Sequence, residues 1–162
     1  MTLFKTASLE QIHLIADFAR IVWTEHYSPI IGPEQVNYML SKFQSSEQIK
    51  SDLQSGYIYD LAWDGGDLAG YCAYRLDNAT VFLSKLYVER EKRGRKIAAY
   101  FLERLKKFAR QNQKNSILLA VNKRNPSLNI YIKMGFTIVD SVVIDIGAGF
   151  FMDDYVMELK LN

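Results

Sequence analysis

Between Thr80 and Val121 the chain reads as an apolar strand, a basic loop, an amphipathic helix and a second apolar strand. "NATVFLSKLYVE" supplies the first strand and "SILLAV" the second. The helix is read over residues 95 to 112. Ile97, Phe101, Leu105 and Phe108 stripe one of its faces, with Ala98, Leu102 and Ala109 beside them. A helix that joins two strands of one sheet is a crossover, so these strands must run parallel. Few other features constrain the fold as strongly.

The flanking segments complete a mixed architecture. "TLFKTA" reads as a short first strand and "SLEQIHLIADFARIVW" as a helix, with Ser8 and Gln11 spaced for a capping box. Ile12, Ile15, Ala19, Val22 and Trp23 form its apolar face. "TEHYSPIIG" breaks that periodicity, and Pro33 then opens a helix carrying Val36, Met39, Leu40 and Phe43. "SEQIKSDLQS" suits a third helix. Two apolar runs around "DGGD" make a hairpin, because paired glycines accept the positive φ of tight turns. Past the crossover, "NPSLNIYIKM" is a short helix stopped by Gly135, and "FTIVDSVVIDI" and "GFFMDDYVMELKL" are a closing antiparallel pair. The predicted order is β-α-α-α-β-β-β-α-β-α-β-β, a mixed α/β (α+β) sheet within a single domain spanning residues 1–162.

Composition narrows the function. The chain is 49% apolar and 23% charged, as globular chains are. No apolar run reaches the roughly 18 residues of a membrane helix. The N-terminus lacks the basic start and apolar block of a secretory signal, so the expected location is cytoplasmic. Cys72 is the single cysteine and reads as a small buried hydrophobe, and His13 and His26 are not spaced as a metal pair. A net charge of +2 is too small for a dedicated nucleic-acid binder, so neither nucleic acid nor membrane is an expected partner.

What positive charge there is concentrates in one place. Arg90, Lys92, Arg93, Arg95 and Lys96 against Glu91 give the loop a local charge of +4. The loop opens a helix, whose first N–H groups are unpaired and carry partial positive charge. Gly94 permits close approach by a ligand. Charge, glycine and helix terminus together suit a pyrophosphate, although a solvated charged loop would read the same way. Neither GxxxxGK(S/T) nor GxGxxG occurs.

The element order, with "LSKLYVEREKRGRKIAAYFLERL" and "NKRNPSLNIYIKMGF", resembles the GNAT family of acyl-CoA-dependent N-acetyltransferases. The likeness spans essentially the whole chain and is strongest from Leu83 to Phe136. The family's Q/R-x-x-G-x-G/A loop falls on Arg93, Gly94, Arg95, Lys96, Ile97 and Ala98. Arg93 and Ala98 match, and Lys96 stands where a glycine is usual. The resemblance implies a mostly antiparallel seven-stranded sheet with a central splay between parallel strands four and five, flanked by helices. It implies acetyl-CoA as cofactor. Leu86, Tyr87 and Val88 would pair with the pantetheine arm, and the amides from Arg93 to Ala98 would cradle the pyrophosphate. The pattern N-x-x-x-x-x-Y-x-x-x-G-F falls on Asn125, Tyr131, Gly135 and Phe136. It implies that Asn125 contacts the cofactor and that Tyr131 protonates the departing thiolate as general acid. By their residue types alone, Asn125 fits a helix cap and Tyr131 a core position equally well.

The resemblance further implies direct attack of an amine on the thioester. The glutamate that many relatives carry in strand four is missing here. Glu25, Asp60, Asp153 and Asp154 are the alternatives for a base, and the sequence does not choose among them. Glu25, His26 and Tyr27 are expected at the acceptor pocket, and the nearest subgroups by pattern are the polyamine and small-amine acetyltransferases. A peptide or protein N-terminal acetyltransferase is the alternative acceptor class. A non-catalytic acyl-CoA-binding regulatory module is the rival from another class, with Lys96 and the absent glutamate in its favour. Relatives often dimerise, so a homodimer is left open.

Overall fold

The structure, a computed structural model, describes residues 1–162. Seven strands form one sheet: β1 (Thr2–Thr6), β2 (Ile58–Asp64), β3 (Asp67–Leu76), β4 (Thr80–Val88), β5 (Ser116–Asn122), β6 (Thr137–Gly147) and β7 (Phe150–Lys160). Five helices accompany them: α1 (Ile12–Ile31), α2 (Pro33–Phe43), α3 (Ser46–Gln54), α4 (Ile97–Gln111) and α5 (Ser127–Lys133). The strand order is β1-β2-β3-β4-β5-β7-β6. Only β4 and β5 are parallel, as a right-handed crossover through α4 requires.

Alternation along the strands divides the core in two. On one face Val81, Leu83, Ile117 and Leu119 pack under Ile97, Phe101, Leu105 and Ala109 of α4, joined by Phe136 and Met157. On the other, Tyr59, Leu61, Tyr71 and Ala73 pack under Ile15, Ala19 and Trp23 of α1, Val36 and Leu40 of α2, and Ile49 of α3. Each fully buried leucine, isoleucine or phenylalanine contributes about 1.5–3 kcal/mol.

Lys85 fastens the second layer to the sheet. Its Nζ donates to the Phe43 carbonyl at 2.7 Å, to the Tyr59 hydroxyl at 2.7 Å and to Asp52 Oδ2 at 3.3 Å. Burial pulls its pKa down to about 8, against the opposing pull of Asp52. The lysine thus ties β4 to the end of α2 and to α3.

The first helix departs from the sequence reading. It does not stop at Trp23 but continues through "TEHYSPII" to Ile31. Pro29 sits inside it and leaves the Glu25 carbonyl without its i+4 donor, a cost of about 3 kcal/mol in a helix interior. Tertiary packing outweighs that cost. Tyr27 and Ile31 continue the apolar stripe onto the second core, and Gly32 at φ 87° ends the helix. The residues expected in an acceptor loop are therefore helical.

Candidate active site

The parallel pairing of β4 with β5 covers only Thr80–Leu83 against Ser116–Leu119. Beyond it the strands separate, leaving Ser84–Val88 of β4 with no partner on the β5 side. On the other side β3 still holds them, with Tyr87 opposite Tyr71 and Val88 opposite Gly70. Gly70 is required here: an added Cβ would stand 2.7 Å from the Tyr87 carbonyl oxygen. The gap opens into a cleft of about 420 Å³. Leu86, Tyr87 and Val88 form one wall, and Ala120, Val121, Ile130 and Met134 another.

The basic loop closes one end. Arg93, Gly94, Lys96, Ile97 and Ala98 all line the cleft. Gly94 has φ 85° and Lys96 φ 62°, and Lys96 is the residue before α4. A glycine adopts such a conformation without strain, whereas a side chain there costs about 1–2 kcal/mol. The left-handed backbone is kept even with a lysine, so the loop still turns its chain into the first N–H groups of α4. Arg93 Nε donates to the Val88 carbonyl at 3.2 Å. Lys92 binds Asp64 at 3.0 Å, and Arg95 pairs with the same carboxylate. Lys92 and, less strongly, Arg95 hold the Asp64 carboxyl below its usual range. Two of the loop's charges are thus answered within the protein, and Arg93 and Lys96 at the cleft are not. The Arg95 side chain is turned to Asp64 and does not line the cleft, whereas the expectation from sequence concerned its backbone amide.

Asn125, which is buried, orders a polar wall of the cleft. Its Oδ1 accepts from the Ser127 N–H at 2.9 Å, which caps α5, and lies 2.9 Å from His26 Nε2. Because that oxygen is pinned as an acceptor, His26 carries its proton on Nε2. Asn125 Nδ2 donates to the Tyr27 hydroxyl at 3.1 Å. Burial lowers the His26 pKa, offset by the Asn125 bond and reinforced by Arg93 and Arg90, so the imidazole is neutral. Burial, then Asp154, pushes Tyr27 up to about 12. Tyr131 lines the cleft and packs edge-on against Phe136 at 5.7 Å, and burial raises its pKa so that its hydroxyl stays protonated.

Twelve of the residues singled out from sequence share this cleft, His26, Tyr27, Asn125 and Tyr131 included. Glu25 does not: it is exposed on α1, one helical step off the face that carries Val22 and His26. Asp60 is equally remote. It is fully buried in a structural knot with Thr6, Tyr74 and Arg104. Sequence reasoning missed Ser84, Ala120 and Val121, whose role as walls depends on where the parallel pairing stops. It also missed Asp64, which sits in the β2–β3 hairpin far along the chain.

The cleft offers what an extended acyl-pantetheine chain with a pyrophosphate needs: free strand amides along one side, apolar walls, and uncompensated cations at a helix N-terminus. The acetyltransferase (GNAT) domain family matches residues 27–159. Among solved structures, the PaiA N-acetyltransferase of Thermoplasma acidophilum, in complex with coenzyme A, superposes with a TM-score of 0.85 at 22% identity over 99% of both chains. A GCN5-related N-acetyltransferase from Rhodopseudomonas palustris superposes at 0.84 with 16% identity, over 99% of this chain and 96% of that one. The yncA protein of Salmonella typhimurium, solved with its cofactor acetyl-CoA, gives 0.68 at 17% identity, over 100% and 95%. Comparison with curated protein sequences finds no significant match. With the sheet splay, the basic loop and the family match in agreement, this chain belongs to the GNAT acetyltransferase family.

Proposed function

We propose that this acetyl-CoA-dependent N-acetyltransferase acetylates the primary amine of a small molecule such as a polyamine, with Tyr131 as general acid. The observation that carries the small acceptor is the closure of the acceptor side. Tyr38 and Lys42 of α2 both donate to the Ile146 carbonyl at the β6–β7 hairpin. Gln35 Nε2 donates to the Phe151 carbonyl at 2.8 Å, and the Tyr38 and Phe150 rings pack at 5.2 Å. A peptide needs an open groove between the helical layer and that hairpin, and here the two are bolted together.

Bound acetyl-CoA supplies an activated thioester. Those amides of Leu86–Val88 that face the gap would hold the pantetheine arm and polarise the thioester carbonyl. Amides from Arg93 to Ala98, with the Arg93 and Lys96 side chains, would bind the pyrophosphate. Asn125 orders His26 and Tyr27 at the acceptor end, where their rings limit its width. Tyr131, held protonated, gives its proton to the departing sulfur.

The test is thiol release from acetyl-CoA against polyamines, aminoglycosides, amino acids and short peptides. A polyamine turned over far faster than any peptide is the expected result, and a peptide in first place would overturn the acceptor assignment. Tyr131→Phe should slow turnover by about a hundredfold with little loss of coenzyme A affinity. Unchanged turnover would remove the acid role.

A further inference from the structure

Of the four carboxylates read from sequence as bases, three are engaged elsewhere or face away. Asp60 is locked among Thr6, Tyr74 and Arg104 on the far strands. Asp153 pairs with Lys123 at 2.8 Å at the surface. Glu25 is exposed on α1 and does not line the cleft. Asp154 is different. It does not line the cleft either, but it is 3% exposed and no hydrogen bond or salt bridge engages its carboxylate, the nearby Lys123 being taken by Asp153. A buried carboxylate left in that condition is costly, and such groups concentrate at functional sites.

Its position is informative. Asp154 lies opposite Asn122 in the β5–β7 register, at the level where β5 has already parted from β4. Alternation along β7 puts it on the face of Met152, which packs with the α1–α3 layer, and away from Tyr155, which packs with the other. Tyr27 projects from α1 onto this same face and feels the Asp154 charge. The Tyr27 hydroxyl accepts from Asn125, so its own proton is free for another acceptor. The basic loop and Tyr131 serve the cleft from the α4–α5 side of the sheet. The unpaired gap between β4 and β5 connects the two sides.

We propose that Asp154 takes the proton that the acceptor ammonium must lose, acting from the α1 side of the sheet while Tyr131 acts from the other. The inference rests on the amine-acetylation reading above. The ammonium gives one proton to the Asp154 carboxylate, and the freed lone pair forms the C–N bond with the thioester carbonyl carbon. The C–S bond breaks, and the sulfur takes its electron pair and the Tyr131 proton. The second nitrogen proton restores Tyr131 through solvent, and the proton on Asp154 passes to bulk water. Burial, then Asp153, raises the Asp154 pKa to about 6, and Lys123 opposes them. Tyr27 is the titratable group facing it from α1, and it stays neutral. At neutral pH the carboxylate is therefore ionised and able to accept.

Asp154→Asn, with Asp153→Asn as the control, is assayed with acetyl-CoA and the best amine of the panel between pH 5 and 9. Wild type should show turnover rising through about pH 6. In Asp154→Asn, kcat should fall about a hundredfold and lose that rise, with coenzyme A affinity by calorimetry intact. The control should keep its turnover and a rise, displaced below pH 6 because the Asp153 charge no longer raises Asp154. Because the change removes a buried unpaired charge, Asp154→Asn should also melt higher than wild type at pH 7.5. Retained turnover and rise, or a lower melting point with weakened coenzyme A binding, would overturn the proposal and make Asp154 structural. If a peptide proves the better substrate, the acceptor reading fails, and the same pH profile measured on the peptide still decides the role of Asp154.

Discussion

Lys96 shows how much a single residue can withhold. By type it is one more cation in a basic loop, and its place in the motif marks it as a departure from glycine. Only the backbone shows that it adopts the left-handed conformation a glycine would have taken. Lys96→Gly should relieve that strain and raise stability by about 1 kcal/mol, or roughly 2–4 °C in melting temperature. A melting temperature that falls would mean that the lysine side chain stabilises the loop by more than its backbone costs it. Asn125 was legible as both helix cap and site residue, and it is both in geometry: one oxygen caps α5 and orients His26. Asp154 was legible only as one of four equals. Its distinction is burial without a partner, which no spacing rule encodes.

At the scale of elements, the helix stripes and the hairpin around Gly65–Gly66 were readable because 3.6-residue and two-residue periods leave a signature. The end of α1 was not. Proline and a polar run argue for a loop locally, and only the sheet beneath Tyr27 and Ile31 overrules them. Lys85 is the corresponding case in a strand: alternation from Val81 and Leu83 would put it under α4, and only the register shift opposite Ala73 and Tyr74 turns it toward α2 and α3. Lys85→Met would leave Asp52 buried without its cation, at a cost of about 3–5 kcal/mol. Thermal melting at neutral pH measures it, and an unchanged transition would show that Tyr59 and Gln48 alone satisfy Asp52. Gly70→Ala would force β3 away from Tyr87. Coenzyme A affinity should fall with it, because the same stretch of β4 forms the cleft wall, and unchanged affinity would show that β4 tolerates the shift.

Over the whole molecule, the crossover was enough to require β4 and β5 to be parallel, and the order of elements gave a mixed sheet. How far that parallel pairing runs was not written in either strand, since Leu86–Val88 and Ala120–Val121 beyond it are as apolar as the residues that pair. That short seam has a mechanical consequence. The sheet is two plates, β1–β4 and β5–β7, stitched at one end, tied on one face by α1 and α2 through Asn125, Ile146 and Phe151, and packed on the other under α4. Past Leu83 no strand pairing joins the plates, and only the helices on the two faces span the gap. A ligand lying along the free edge of β4 and touching the β5 side acts as a strut between them. Its binding should therefore slow amide exchange in both plates at once, at residues 84–88 and 120–122, although the second stretch need not form a single new hydrogen bond to it.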